Sequence, residues 1–133
     1  MMTTERLKNW IKAQDPDYSG CIQLGGVDGN AEQALGVYPA PTPGAAQIAI
    51  GGPACTTYCT FCAKLLLRWG KHQPEAEAKA RALWGLFYGL TGVEMCGTPV
   101  AYADPGGAPV PLGRSTDGTF EYVIDLKLIC KKE

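Results

Sequence analysis

Apolar and polar positions alternate with two different periods along this chain, and the periods divide it into helices and strands. Leu7, Trp10 and Ile11 recur at helical spacing, so a first helix is expected over about Glu5 to Gln14, capped by Thr4 and stopped by Asp15-Pro16. A short strand, Cys21 to Leu24, then meets Gly25-Gly26. Residues 28–44 hold Gly36, Pro39, Pro41, Pro43 and Gly44 and read as a turn-rich surface connection. Gln47 to Ile50 reads as a second strand, closed by Gly51-Gly52-Pro53.

The period then becomes two. From Tyr58 to Trp69, Cys59, Phe61, Ala63, Leu65 and Leu67 share one face of a strand, and Thr60, Cys62, Lys64, Leu66 and Arg68 the other. Gly70 to Gln73 turns the chain. Pro74 stands at the start of a second helix running to Leu90, with Ala76, Ala80, Leu83, Trp84 and Phe87 as its apolar stripe. Glu75–Lys79 and Glu77–Arg81 have the spacing of stabilising i, i+4 pairs. A second line on this helix carries only small residues: Ala78, Ala82, Gly85 and Gly89. Glycine costs about 1 kcal/mol against alanine inside a helix. Two on one line predict a backbone packed very close, with the first helix around Leu7 and Trp10 as the expected neighbour. Val93 to Tyr102 returns to the sheet, interrupted by Gly97 and Pro99. The 104–118 segment, rich in Gly and Pro, reads as a loop free for assembly. Phe120 to Cys130 alternates as the last strand, with Phe120, Tyr122, Ile124, Leu126 and Leu128 inward. The sum is an α+β domain spanning 1–133, two helices packed on one face of a mostly antiparallel sheet of four to five strands.

Composition narrows the function classes. The chain has 133 residues, 46% hydrophobic and 19% charged, which is one globular domain's worth of core. Twelve basic and thirteen acidic residues give a net charge of −1. Neither nucleic acid nor anionic lipid is courted by such a balance, so no specific nucleic acid and no membrane are expected as partners. No apolar run approaches the ~20 residues that span a bilayer, and MMTTERLKNW has no signal-peptide pattern. The expectation is a cytoplasmic protein with its six cysteines reduced.

Catalytic constellations are not expected. Cys55, Cys59 and Cys62 stand in C-x3-C-x2-C spacing, like the iron–sulfur motif of radical SAM enzymes, where three thiolates leave one iron open. Here Cys59 and Cys62 fall inside an alternating strand and point to opposite faces, so they read as core filler. A small Cys-ligated metal or iron–sulfur protein is the alternative reading. A zinc site lacks a second Cys pair, and the single histidine, His72, lies in a turn. There is no G-x-S-x-G elbow and no phosphate loop. No cofactor, no metal and no catalytic residue are expected.

Element order and short motifs carry a resemblance. ERLKNWIK, AQIAIGG, the strand-to-helix run LLLRWGKHQPEAEAKARALWGLFYGL and the close PVPLGRSTDGTFEYVIDLKLI stand in the order seen in the minor capsid and tail-terminator proteins of long-tailed, siphovirus-like phages and prophages. That family has a strand ending near an Arg, a helix rich in alanine, and a P-x-x-L-G loop before a last strand. Arg68, Ala76 to Leu90, and Pro109 to Gly118 match these. The resemblance covers about Glu5 to Ile129, and the stretch Cys55 to Cys62 departs from it. What it implies is a non-enzymatic virion protein at the head–tail junction, assembled in the host cytoplasm. Such a subunit forms a ring, typically a hexamer, that caps the tail tube protein and meets the head-completion or connector protein. Gly85, Gly89, Arg114 and Asp117 are the subunit-interface residues expected from this reading.

Overall fold

A computed structural model describes residues 2–27, 31–42, 50–52, 54 and 57–131. Gln47 to Ala49 of the expected second strand, and Cys55, lie outside the described residues; Ile50 is exposed in a turn.

The first helix, α1, is Thr4–Gln14. Its cap is Thr3 and not Thr4: Thr3 has extended backbone and its hydroxyl accepts from the Arg6 amide at 3.2 Å. Leu7, Trp10 and Ile11 are buried as the spacing requires. Asp15 ends the helix, and its carboxylate accepts from the Asp17 amide at 3.0 Å, opening a short 3-10 turn over Pro16–Tyr18.

Among the described residues seven strands follow, not four to five. They are β1 (Ile22–Leu24), β2 (Gln33–Pro39), β3 (Tyr58–Trp69), β4 (Thr91–Met95), β5 (Thr98–Asp104), β6 (Val110–Arg114) and β7 (Phe120–Lys131), with α2 (Gln73–Phe87) between β3 and β4. Their order is β1-β2-β3-β7-β5-β4. β1 runs parallel to β2, and every other pairing is antiparallel. The outer side of β7 is shared, β5 taking Lys127 to Cys130 and β6 taking Phe120 to Val123.

Three sequence readings explain the larger sheet. The segment 28–44 is no surface connection, since β2 lies within it, between β1 and β3. The 93–102 stretch is a hairpin: Cys96 (φ 48°) and Gly97 (φ 90°) form its two-residue turn, both in the left-handed region that such a turn requires. The 104–118 segment contains β6.

Register puts one set of side chains under both helices. Leu35 faces Leu67, Val37 faces Leu65, Leu65 faces Ile124 and Ala63 faces Leu126 across neighbouring strands. All of these are buried, in one core with Ala76, Ala80, Leu83 and Phe87 of α2. The Trp10 and Phe87 rings, with centroids 5.5 Å apart, join the helices. Each fully buried Leu or Phe contributes roughly 1.5–3 kcal/mol. The opposite sheet face is polar near its middle, where Lys64 and Asp125 are both exposed and 3.8 Å apart.

Candidate assembly surface

Among the described residues, one edge of the sheet and the outer side of α2 stand out. β6 pairs only with β7, and all five of its residues are exposed. Between Pro111↔Tyr122 and Gly113↔Glu121 the register shifts, so Leu112 is an inserted bulge residue, followed by Gly113 at φ 93°. Val110 is 49% exposed and Leu112 56%. Pro111 has no amide N–H, a device that keeps an edge strand from pairing indiscriminately. The edge thus offers side chains more readily than backbone.

The approach to β6 is anchored, which corrects the expectation of a free loop. Pro105 is buried, the Gly106 amide donates to Asp104 Oδ1 at 2.9 Å, and the Gly106 carbonyl accepts from Trp84 Nε1 at 3.0 Å. Trp84 in turn stacks on Tyr88, centroids 4.6 Å apart, and Tyr88 is 69% exposed.

The small-residue line of α2 does not pack inside the chain. Ala78, Ala82, Gly85 and Gly89 are all exposed, and a Cβ built on Gly85 or Gly89 has nothing within 4 Å. The expected contact of these glycines with α1 is therefore absent; Phe87 makes it instead. Gly89 has a second reason to be glycine. It follows the helix with φ 73°, where a side chain would be strained.

Arg114 and Asp117 lie at the β6–β7 turn but differ in what they touch. The Arg114 guanidinium is exposed and sits 5.7 Å from the Phe120 ring centroid. Asp117 is engaged within the chain. It accepts from the Ser115 hydroxyl and the Thr119 amide, and Arg68 Nη2 donates to it at 2.8 Å. The Ser115 and Thr119 hydrogen bonds, with Arg68 beside them, hold the Asp117 carboxyl well below the usual range. Arg68 is only 4% exposed, and Glu121 Oε2 lies 3.6 Å from its Nε. Sequence reading singled out Arg68 as a strand end but not as the cation that fastens this turn to β3.

Lys79 was missed too. It leaves the expected partner Glu75 and reaches Asp15 at 2.7 Å and Asp17 at 2.9 Å, with its ammonium 4.7 Å from the Tyr18 ring and 4.8 Å from the Trp69 ring. Burial pulls the Lys79 pKa down, but the two aspartates outweigh it and the pKa ends above its usual value. The other expected pair, Glu77–Arg81, forms at 3.6 Å. Only the helical period was visible in sequence; the aspartates come from a turn 62 residues away.

Cys59 and Cys62 sit on opposite faces of β3, opposite Cys130 and Lys127 of β7 respectively. Among the described residues, no group of three or more His, Cys, Asp or Glu is placed to hold a metal ion. His72 is exposed at the start of α2, with Nδ1 3.7 Å from Glu75. Among the described residues no helix is long and apolar enough to cross a membrane.

No family model matches the chain, and no curated protein matches it significantly. A solved structure whose own description states no function is similar in fold, with a TM-score of 0.54 over 97% of this chain and 90% of that one, at 18% identity. That likeness concerns the fold alone.

Proposed function

We propose that this chain is a structural subunit that closes into a ring by joining two different surfaces, the exposed β6 edge of one copy and the outer side of α2 of the next. A head-to-tail interface needs two unlike patches on the same subunit, and a ring results when the rotation between copies closes. The observation that carries the reading is the exposed apolar pair on β6, Val110 and Leu112, on a strand with no neighbour on its far side among the described residues. The α2 line of Ala78, Ala82 and Gly85, with Gly89 just beyond the helix end, supplies a surface of small exposed residues against which such protruding side chains can pack closely. Arg114 stands at the rim of the same edge, and Asp117 shapes the turn beside it. Together with the sequence resemblance, this supports a ring, a hexamer by that resemblance, capping the tail tube of a long-tailed phage and facing the head connector. The reading assigns the protein no catalytic step, no cofactor and no metal.

The experiment is coexpression with the tail tube protein of the same structural gene cluster, followed by electron microscopy. Tubes of uniform end, each closed by a ring of this chain, are the expected outcome. Leu112→Asp should leave the tubes uncapped. Tubes that ignore the wild-type chain would overturn the assignment.

A further inference from the structure

We infer that Cys59 and Cys130 form a reversible thiol–disulfide switch tying the start of β3 to the end of β7. The inference is independent of the ring reading. The two residues are direct partners in the β3–β7 ladder. On the other side of β3, the Ala40 amide donates to the Cys62 carbonyl, so the even residues of β3 bond toward β2. The odd residues, Cys59 among them, therefore bond toward β7, which makes Cys59–Cys130 a hydrogen-bonded pair. Such a pair has Cα atoms about 5.5 Å apart, inside the roughly 4.4–6.8 Å that a disulfide spans. Its Cβ atoms stand about 5.5 Å apart in that geometry, beyond the roughly 3.5–4.5 Å of a disulfide, so the two strand ends must draw together to close the bond. The bond can form there but carries strain, and strained disulfides are the readily reduced, regulatory ones.

Access is asymmetric. Cys59 is exposed, whereas Cys130 is fully buried, and burial first, then the neighbouring Cys59, pushes the Cys130 thiol up to about 11. A soluble low-molecular-weight disulfide thus meets only Cys59. The Cys59 thiolate attacks one of its sulfurs, forming a mixed disulfide and releasing one thiol. Cys130 Sγ then attacks Cys59 Sγ, and its proton passes to the departing thiolate, which leaves as the second thiol. Two cysteine thiols are oxidised and one small disulfide is reduced to two thiols, so the exchange balances. Cys62 cannot substitute for Cys130, because it lies on the other face opposite Lys127.

The test is incubation of the full chain in buffers of graded oxidised-to-reduced glutathione, with non-reducing peptide mapping by mass spectrometry and a melting curve at each ratio. The expected result is a Cys59–Cys130 peptide as the dominant oxidised product, reversed by excess reduced glutathione. The oxidised chain should melt higher by on the order of 5 °C. Cys130→Ser should leave Cys59 trapped as the glutathione adduct, and Cys62→Ser should change nothing. Mapping of the wild-type chain decides the matter even if Cys130→Ser fails to fold. Cys59 linked mainly to Cys55 or Cys62, or left as an adduct in the wild type, overturns the inference.

Discussion

β2 and β6 are built from similar material and meet opposite fates. One reads Gln-Ala-Leu-Gly-Val-Tyr-Pro, the other Val-Pro-Leu-Gly-Arg, and each carries glycine and proline among two or three apolar residues. β2 lies between β1 and β3 with Leu35 and Val37 fully buried, while β6 pairs on one side only and exposes every residue. Composition does not separate them; neighbours do. Proline stands last in β2, where a strand can end, and second in β6, where it blunts an edge. The difference shows that a Gly/Pro-rich segment can hold a sheet together or terminate it, and that burial on both flanks decides which.

That contrast is open to direct attack. Leu35→Ala should cost about 2–5 kcal/mol in urea unfolding, the usual loss for a fully buried leucine. Leu112→Ala in β6 should stay within about 0.5 kcal/mol. Equal effects at the two positions would erase the distinction.

Glycine sharpens it next. A Cβ on Gly36 of β2 would come within 2.8 Å of the Gly26 carbonyl oxygen, of Val27 and of the Tyr38 ring. Backbone must therefore move, and Gly36→Val should destabilise by about 1–3 kcal/mol in the same assay. Gly85→Ala, with open space around it, should be neutral or stabilising through helix propensity.

Acid should loosen the β6–β7 turn before the β2 region. Asp117 has its folded pKa below the unfolded value, so its contribution is present above the unfolded carboxylate pKa and is lost as pH falls through the folded one. Asp15, lowered by its hydrogen bond from Lys79, adds the same sign. Melting curves stepped down from ~pH 5 should show a falling midpoint, with a shallower fall in Asp117→Asn. An identical acid profile for the two proteins would remove Asp117 from the account.

How much of this was legible in sequence follows from which interactions are local. α1, β3, α2 and β7 were read within a few residues because their period is set by neighbours three, four or two positions away. β2 escaped because Gly36 and Pro39 broke its period; the features that make it a strand, Leu67 and Leu65 opposite Leu35 and Val37, are about 30 residues distant. β6 escaped for the same reason, its one partner being β7. For the candidate surface, the close contact expected for Gly85 and Gly89 inside the chain is not there. Arg114, expected near the end of a loop, is the last residue of β6. Asp117 was expected near the same loop end; its hydrogen bonds from Ser115 and Thr119 are local, but the one from Arg68 depends on β3 and could not be read from the turn alone.

The most direct test of the central claim is the mass of the chain in solution, by light scattering across rising concentration, for the wild type and for Leu112→Asp. The account predicts a closed oligomer, six copies by the resemblance, that Leu112→Asp dissociates to monomers that stay folded. A wild-type chain that stays monomeric throughout, or an oligomer that Leu112→Asp leaves intact, would contradict it.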